Sequence, residues 1–184
     1  FGDRLAFGTA GLRGPLGPGP NRMNEALVRR VAAGLGRYLR AQPTDARRRG
    51  VVIGYDGRHG SKKFAEATAR VLGGLSIPSF LFDEVVPTPQ LANALVQLGC
   101  VAGVMVTASH NPPQDNGYKV YWDNGAQIIE PHDQGISACI DQVADLSEVD
   151  APALTALRAA ELVRPVPAAV LARYLEAVDA LRVY

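Results

Sequence analysis

Val101-Ala102-Gly103-Val104-Met105-Val106 is an unbroken apolar run that stops abruptly at Thr107-Ala108-Ser109-His110-Asn111-Pro112-Pro113. Six apolar residues without alternation suit a strand covered on both faces, as in the interior of a parallel sheet. Working outward, Val51-Val52-Ile53 is a second short apolar strand leading into the turn Tyr55-Asp56-Gly57-Arg58, and Ile77 to Phe82 predicts a third. Helical spacing separates them. Asn24 is a good N-cap for Leu27, Val28, Val31, Leu35, Tyr38 and Leu39, with Arg29, Arg30, Arg37 and Arg40 largely on the other side and Pro43 as the stop. Ser61 is expected to cap a helix whose inward face carries Phe64, Ala67, Thr68, Val71 and Leu72, closed by Gly73-Gly74. Thr88-Pro89 opens another, with proline in the first turn. Strands alternating with helices of this length predict βαβ units, hence an α/β fold: three layers, α/β/α, around a mostly parallel mixed sheet.

The flanks read less regularly. Leu5 to Gly14 is a short extended segment running into glycines, and the glycines and prolines up to Pro20 predict a loop. Asp123-Asn124-Gly125 between Tyr118–Trp122 and Ala126–Ile129 is a hairpin signal. Pro131 starts a helix through Ile136, Ile140 and Val143. Residues 145–167 are expected to form a surface connection, and Ala168 to Leu181 returns to helical spacing.

The 184 residues are 47% apolar and 20% charged, an ordinary globular composition, with a net charge of +1 that argues against a nucleic-acid module. The charge is polarised: residues 1–92 carry +7 and residues 93–184 carry −6. Sixteen of the nineteen cations are arginine, a pattern that suits phosphate recognition and equally suits codon bias. No apolar run approaches the roughly 18 residues of a membrane span, and no secretory signal is visible. Two cysteines cannot staple a small secreted scaffold, so a cytoplasmic location is expected. The absent initiator Met suggests a piece of a longer chain.

Familiar templates fail. There is no G-x-G-x-x-G; His59 stands where a P-loop needs glycine; Ser109 lacks the glycines of a nucleophile elbow; and the His and Cys residues show no paired zinc spacing, which leaves Cys100 and Cys139 as core residues. The Thr107–Pro113 segment differs because it follows the most buried-looking strand, and open α/β sheets hold ligands at that end. A hydroxyl there, Ser109, can accept and return a phosphoryl group if positive charge surrounds it; a plain polar turn is the competing reading. Lys119, ten residues on, can reach back as a cation or proton carrier, a role that requires burial or a neighbouring cation. Arg13 lies between Gly11 and Gly14, which let an anion approach closely. Arg47-Arg48-Arg49 reads as a solvated connection.

Phe7-Gly8-Thr9-Ala10-Gly11-Leu12-Arg13-Gly14, then Thr107-Ala108-Ser109-His110-Asn111-Pro112, then Asn116-Gly117-Tyr118-Lys119 occur in an order that resembles the α-D-phosphohexomutases, which include phosphoglucomutases, phosphomannomutases and phosphopentomutases. The likeness covers roughly residues 4–145 and is to the first domain of that superfamily. Asp115 to Trp122 further resembles the branch holding phosphoglucomutase-2 and phosphopentomutase enzymes and their bacterial relatives.

The resemblance implies residues 1–145 as the domain bearing the phosphoserine loop, with 146–184 a connection and helix toward a second domain. It implies an isomerase that interconverts hexose 1-phosphate and 6-phosphate through phosphorylated Ser109 and a bisphosphate intermediate. Glucose, mannose and pentose phosphates all stay open as substrates. His110, Arg13 and Lys119 match family positions beside the phosphoserine, and Thr107 and Asn111 belong to the phosphate-binding set. Mg²⁺ would be held by Ser109 through its phosphate, with a sugar bisphosphate as activator. The family's aspartate-rich metal loop, Asp-Gly-Asp-x-Asp, is not in these 184 residues, so the implied partners are sugar phosphates and the other domains of a full-length chain. A fold-retaining phosphosugar binder without chemistry is the alternative.

Overall fold

β2 (Val51–Tyr55) and β4 (Ala102–Val106) are buried at every position and run parallel, side by side, in the computed structural model, which describes residues 4–183. β3 (Ser79–Leu81) pairs in parallel with β2, and β6 (Val163–Pro165) with β3. On the other flank β5 (Asp115–Trp122) is antiparallel to β4, and β1 (Leu12–Pro15) is antiparallel to β5. The six-stranded order is therefore β1-β5-β4-β2-β3-β6, the expected mixed and mostly parallel sheet.

Side chains leaving the sheet on one side meet α1 (Glu25–Ala41), α3 (Ser61–Gly74) and α5 (His132–Asp141), in a core that includes Leu35, Ile53, Phe64, Leu72, Val104, Tyr118 and Ile136, while the four-residue α2 (Ala46–Arg49) leads from α1 into β2. The other side carries α4 (Thr88–Leu98) and α7 (Ala168–Asp179), with Val52, Leu91, Leu95, Met105 and Val170 between. The predicted apolar faces of α1 and α3 are all buried, and Asn24 caps α1 by accepting from Leu27 N at 2.9 Å. Gly34 permits the close crossing of α1 and α5, because a Cβ there would overlap Ile140.

The chain runs from β2 outward to β3 and then returns across β2 to β4. That reversal makes the loops following β2 and β4 the topological switch point, the place where such sheets bind ligands.

Three expectations are corrected. Ser61 is not the cap of α3: Gly60 precedes the helix in a left-handed conformation (φ 81°), and Ser61 is buried in the first turn. The second hairpin arm is no strand. The expected turn at 123–125 forms, and beyond it Trp122 N donates to Ala126 O at 2.9 Å, Gln127 bridges to Tyr121 and Ile128 N donates to Val120 O at 3.1 Å, but the pairing goes no further. The chain then leaves at Pro131, which has no N–H to donate and leads into α5. β1 lies mostly within the extended segment expected over Leu5 to Gly14 and runs one residue past it, to Pro15. Finally, residues 145–167, expected as a surface connection, hold α6 (Leu154–Ala159) and the edge strand β6. Among the described residues no helix is long and apolar enough to cross a membrane.

Candidate active site

β4 ends at Val106, and the turn that follows is held by its own backbone. Thr107 N donates to Gly117 O at 3.1 Å, so the loop leaves the sheet at a fixed point beside β5. Thr107 is buried, and its Oγ1 accepts from Ser109 N at 2.9 Å. Asn111 N then donates to Ala108 O at 3.1 Å. Ser109 adopts φ 58°, in the left-handed region. A non-glycine residue there costs on the order of 1–2 kcal/mol, and such strain gathers where surrounding bonds over-determine the backbone. The conformation turns Ser109 outward: its side chain and that of His110 are exposed, with His110 Nδ1 3.4 Å from Ser109 Oγ.

Arg13 and Lys119 share one face of the sheet. Leu12 pairs with Tyr118, and both point into the α1/α3/α5 core, so their neighbours Arg13 and Lys119 project from the opposite side. Arg13 is paired with Gly117, two residues from Lys119, a diagonal spacing of roughly 7–8 Å in antiparallel pairs. α4, on that side, packs over β2 and β4, further along the sheet. Opposite Lys119 lies Gly11, at φ 78°, with no room for a side chain: a Cβ would collide with the Tyr118 carbonyl and lie 3.0 Å from Lys119 Cα. Arg13 Nη1 donates to Asn111 Oδ1 at 2.8 Å, and Asn111 Nδ2 donates to Asp115 Oδ2 at 2.8 Å. The structure thus gathers Arg13, Thr107, Ser109, His110 and Asn111 around one turn, with Lys119 beside them on β5.

Arg58 lies in the loop after β2, where the sequence presents a turn. Its Nη2 donates to Ser109 O at 2.8 Å and to Asn111 O at 2.7 Å, and its Nη1 donates to Pro112 O at 2.8 Å and Asp115 O at 3.2 Å. Its Nε lies 3.3 Å from Asp56 Oδ2. Asp56 Oδ1 also accepts from Arg58 N at 3.0 Å and from Ser61 Oγ at 2.7 Å. Asn116 completes the link by donating to His59 O at 3.0 Å and Ser61 Oγ at 2.9 Å. The available signal was positional: an arginine three residues past a buried strand that neighbours β4.

Asp56 is engaged by Arg58 and Ser61, and Asp115 by Asn111. Among the described residues no group of three or more His, Cys, Asp or Glu side chains is gathered to hold a metal ion. Cys100 is buried and Cys139 half-buried, both as free thiols.

The family model for "Phosphoglucomutase/phosphomannomutase, alpha/beta/alpha domain I" matches residues 4–146. Mouse phosphopentomutase is 49% identical over 148 residues, covering 77% of this chain and 24% of its own length. Mouse glucose 1,6-bisphosphate synthase is 46% identical over 145 residues, covering 76% and 23%. The solved structure of a phosphoglucomutase/phosphomannomutase family protein from Burkholderia thailandensis superposes with a TM-score of 0.61 at 25% identity, over 81% of this chain and 31% of that one. The chain therefore spans about a quarter of the length of the curated relatives it matches. With three α/β/α layers, a family model matching residues 4–146 and relatives nearly half identical over 145 to 148 aligned residues, the chain belongs to the phosphoglucomutase/phosphomannomutase family and carries its domain I.

Proposed function

We propose that this chain is the serine-bearing domain of a phosphosugar mutase, acting on hexose 1- and 6-phosphates or on the corresponding pentose phosphates. The observation that carries the reading is the exposed Ser109 hydroxyl at the end of the central strand β4, with Arg13 and Lys119 on the open face alongside. In the proposed cycle, phosphorylated Ser109 gives its phosphoryl group to a free sugar hydroxyl. The P–Oγ bond breaks with its electron pair left on Ser109 Oγ, which takes up a proton to become the free hydroxyl, while a P–O bond to the sugar forms and the sugar hydroxyl proton passes to Lys119 or His110. The bisphosphate turns over in the site, and its other phosphoryl group returns to Ser109. Phosphoryl transfer asks the protein mainly for positioning and positive charge. Arg13 supplies a fork matched to phosphate oxygens, while Thr107 and Asn111 hold the turn. A phosphoserine oxygen is the one magnesium ligand we assign to this chain.

We place residues 1–145 as the phosphoserine domain, residues 146–184 as the path to further domains, and the whole protein in the cytoplasm. The assignment to the phosphopentomutase-like branch is supported by the 49% identity to the mouse phosphopentomutase. The test is intact mass after incubation of the full-length protein with glucose 1,6-bisphosphate. One added phosphate, absent in Ser109→Ala along with mutase activity, is the expected result. Full activity in Ser109→Ala overturns the reading.

A further inference from the structure

Arg58 has five N–H donors, and four of them donate to backbone carbonyls of one seven-residue stretch, Ser109 to Asp115, while the fifth faces Asp56. No other side chain in the loop is bound so completely. Arg58 is itself only 15% exposed, and Asp56 is in turn fastened to Ser61 in the first turn of α3. The guanidinium therefore joins the serine loop to the α3 frame at the point where the chain reverses direction.

We propose that Arg58 is a positioning residue for phosphoryl transfer: it holds Ser109 in its left-handed conformation and so sets where the hydroxyl stands relative to Arg13 and Lys119. The inference rests on the phosphoserine reading above. Both peptide groups of Ser109 are committed, its N–H to Thr107 Oγ1 and its carbonyl to Arg58 Nη2. Releasing the carbonyl leaves a strained φ with support on one side only, and the turn relaxes toward an ordinary backbone conformation. Nothing in this arrangement requires Arg58 to touch the sugar. Its effect is carried by the placement of Ser109, so it belongs to turnover rather than to substrate affinity. Lysine is no substitute: an ammonium offers three donors from a single point, whereas the carbonyls of Ser109, Asn111, Pro112 and Asp115 are spread around a planar fork.

Arg49 provides an internal control. It also donates to backbone carbonyls, Gly99 O at 2.8 Å and Cys100 O at 3.2 Å, but it lies just before β2, at the opposite end of the sheet from the serine loop. Removing it should cost stability without moving Ser109.

The experiment compares Ser109→Ala, Arg58→Ala, Arg58→Lys and Arg49→Ala in the full-length protein, below the unfolding temperature of each. For Arg58→Ala we expect kcat to fall about 10²-fold, the scale of a misplacement near 1 Å, with KM changed by less than about threefold. Backbone amide exchange should quicken across 107–116 and not in α1, and added guanidinium ion should restore part of the lost kcat. Arg58→Lys should show the same split, in weaker form, and it decides the question if Arg58→Ala does not fold. Arg49→Ala should keep wild-type kcat. Wild-type kcat in Arg58→Lys, or a kcat loss in Arg49→Ala equal to that in Arg58→Ala, overturns the positioning role. Full activity in Ser109→Ala instead defeats the phosphoserine reading, whatever the arginine variants do.

Discussion

Arg13 on β1 and Asn111 in the serine loop are joined across β5 by a single hydrogen bond, Nη1 to Oδ1 at 2.8 Å. The orientation of the amide is set from both sides: its oxygen faces the guanidinium, and its nitrogen donates to Asp115 Oδ2. An edge strand that ends after four residues is thereby given a second attachment, and the cation is aimed at the turn carrying Ser109. Arg13 is exposed, so a phosphate oxygen can take the place of the amide oxygen at little cost.

Arg13→Ala follows directly. The lost bond is solvent-accessible, so stability should change by no more than about 1 kcal/mol, which is roughly 2–4 °C in Tm for a protein of this size. Turnover should fall far more, on the order of 10²–10³-fold in kcat/KM, as when one preorganised donor to a developing negative charge is removed. Arg13→Lys should recover only part of it, since the fork geometry is lost. A stability loss with unchanged kcat/KM by coupled assay would reduce Arg13 to a tether.

Lys119→Met tests the proton carrier. Among the described ion pairs none engages Lys119, so replacing the ammonium leaves no buried carboxylate unpaired. Folding should be nearly unaffected, while kcat drops by about 10²–10⁴-fold, the usual share of general acid–base catalysis. Sugar-phosphate KM should move much less. Unchanged kcat would reassign Lys119 to scaffolding.

The helices and central strands were legible because their pattern is local. Leu27, Val31, Leu35 and Leu39 repeat at helical spacing, and Val101 to Val106 has no polar residue to expose. β6 escaped because Val163-Arg164-Pro165 is three residues long and carries a charge and a proline, both marks of a sheet edge rather than of a strand interior. The arginines have a use that their number does not announce. Their number suggested phosphate recognition or codon usage, yet Arg29, Arg30, Arg37, Arg49, Arg58 and Arg70 each donate to backbone carbonyls of distant segments. A planar fork with five donors suits that task. Which carbonyl it reaches depends on tertiary geometry, and sequence spacing carries no trace of it.

Gly34→Ala sets two effects against each other. Alanine in a helix interior gains about 1 kcal/mol over glycine in propensity. The new methyl would meet Ile140, including its Cα and N at 2.7 Å, and backbone atoms cannot rotate away as a side-chain tip can. Overpacking of this kind typically costs about 1–3 kcal/mol, and the contact here is with the α5 backbone, so the steric penalty should win. The expected result is a lower urea midpoint with an unchanged m-value. A gain in stability would show that α1 and α5 can separate freely.

Cys100 supplies a pH-dependent test. Burial in the core pushes its thiol up to about 12, against smaller opposing effects from the Arg49 and Arg164 guanidiniums. In the unfolded chain the thiol titrates near 8.5. Between those values the unfolded state has lost a proton that the native state keeps, so unfolding releases a proton and stability falls as pH rises. The stabilisation is fully present below about pH 8.5 and declines by up to ~1.4 kcal/mol per pH unit above it. Tyr118, also raised by burial, adds to the loss only at higher pH, because an unfolded tyrosine titrates near 10. Cys139 is raised as well but is half-exposed, so it contributes less. Urea midpoints measured from pH 7 to 10 should therefore drop beyond pH 8.5, and Cys100→Ala should flatten most of that slope even though the cavity it leaves lowers the whole curve. Iodoacetamide gives an independent reading: the native protein at pH 8 should be alkylated at Cys139 and spared at Cys100 until unfolded. Equal labelling of both thiols in the native state would mean that the core around β4 opens far more readily than its packing implies.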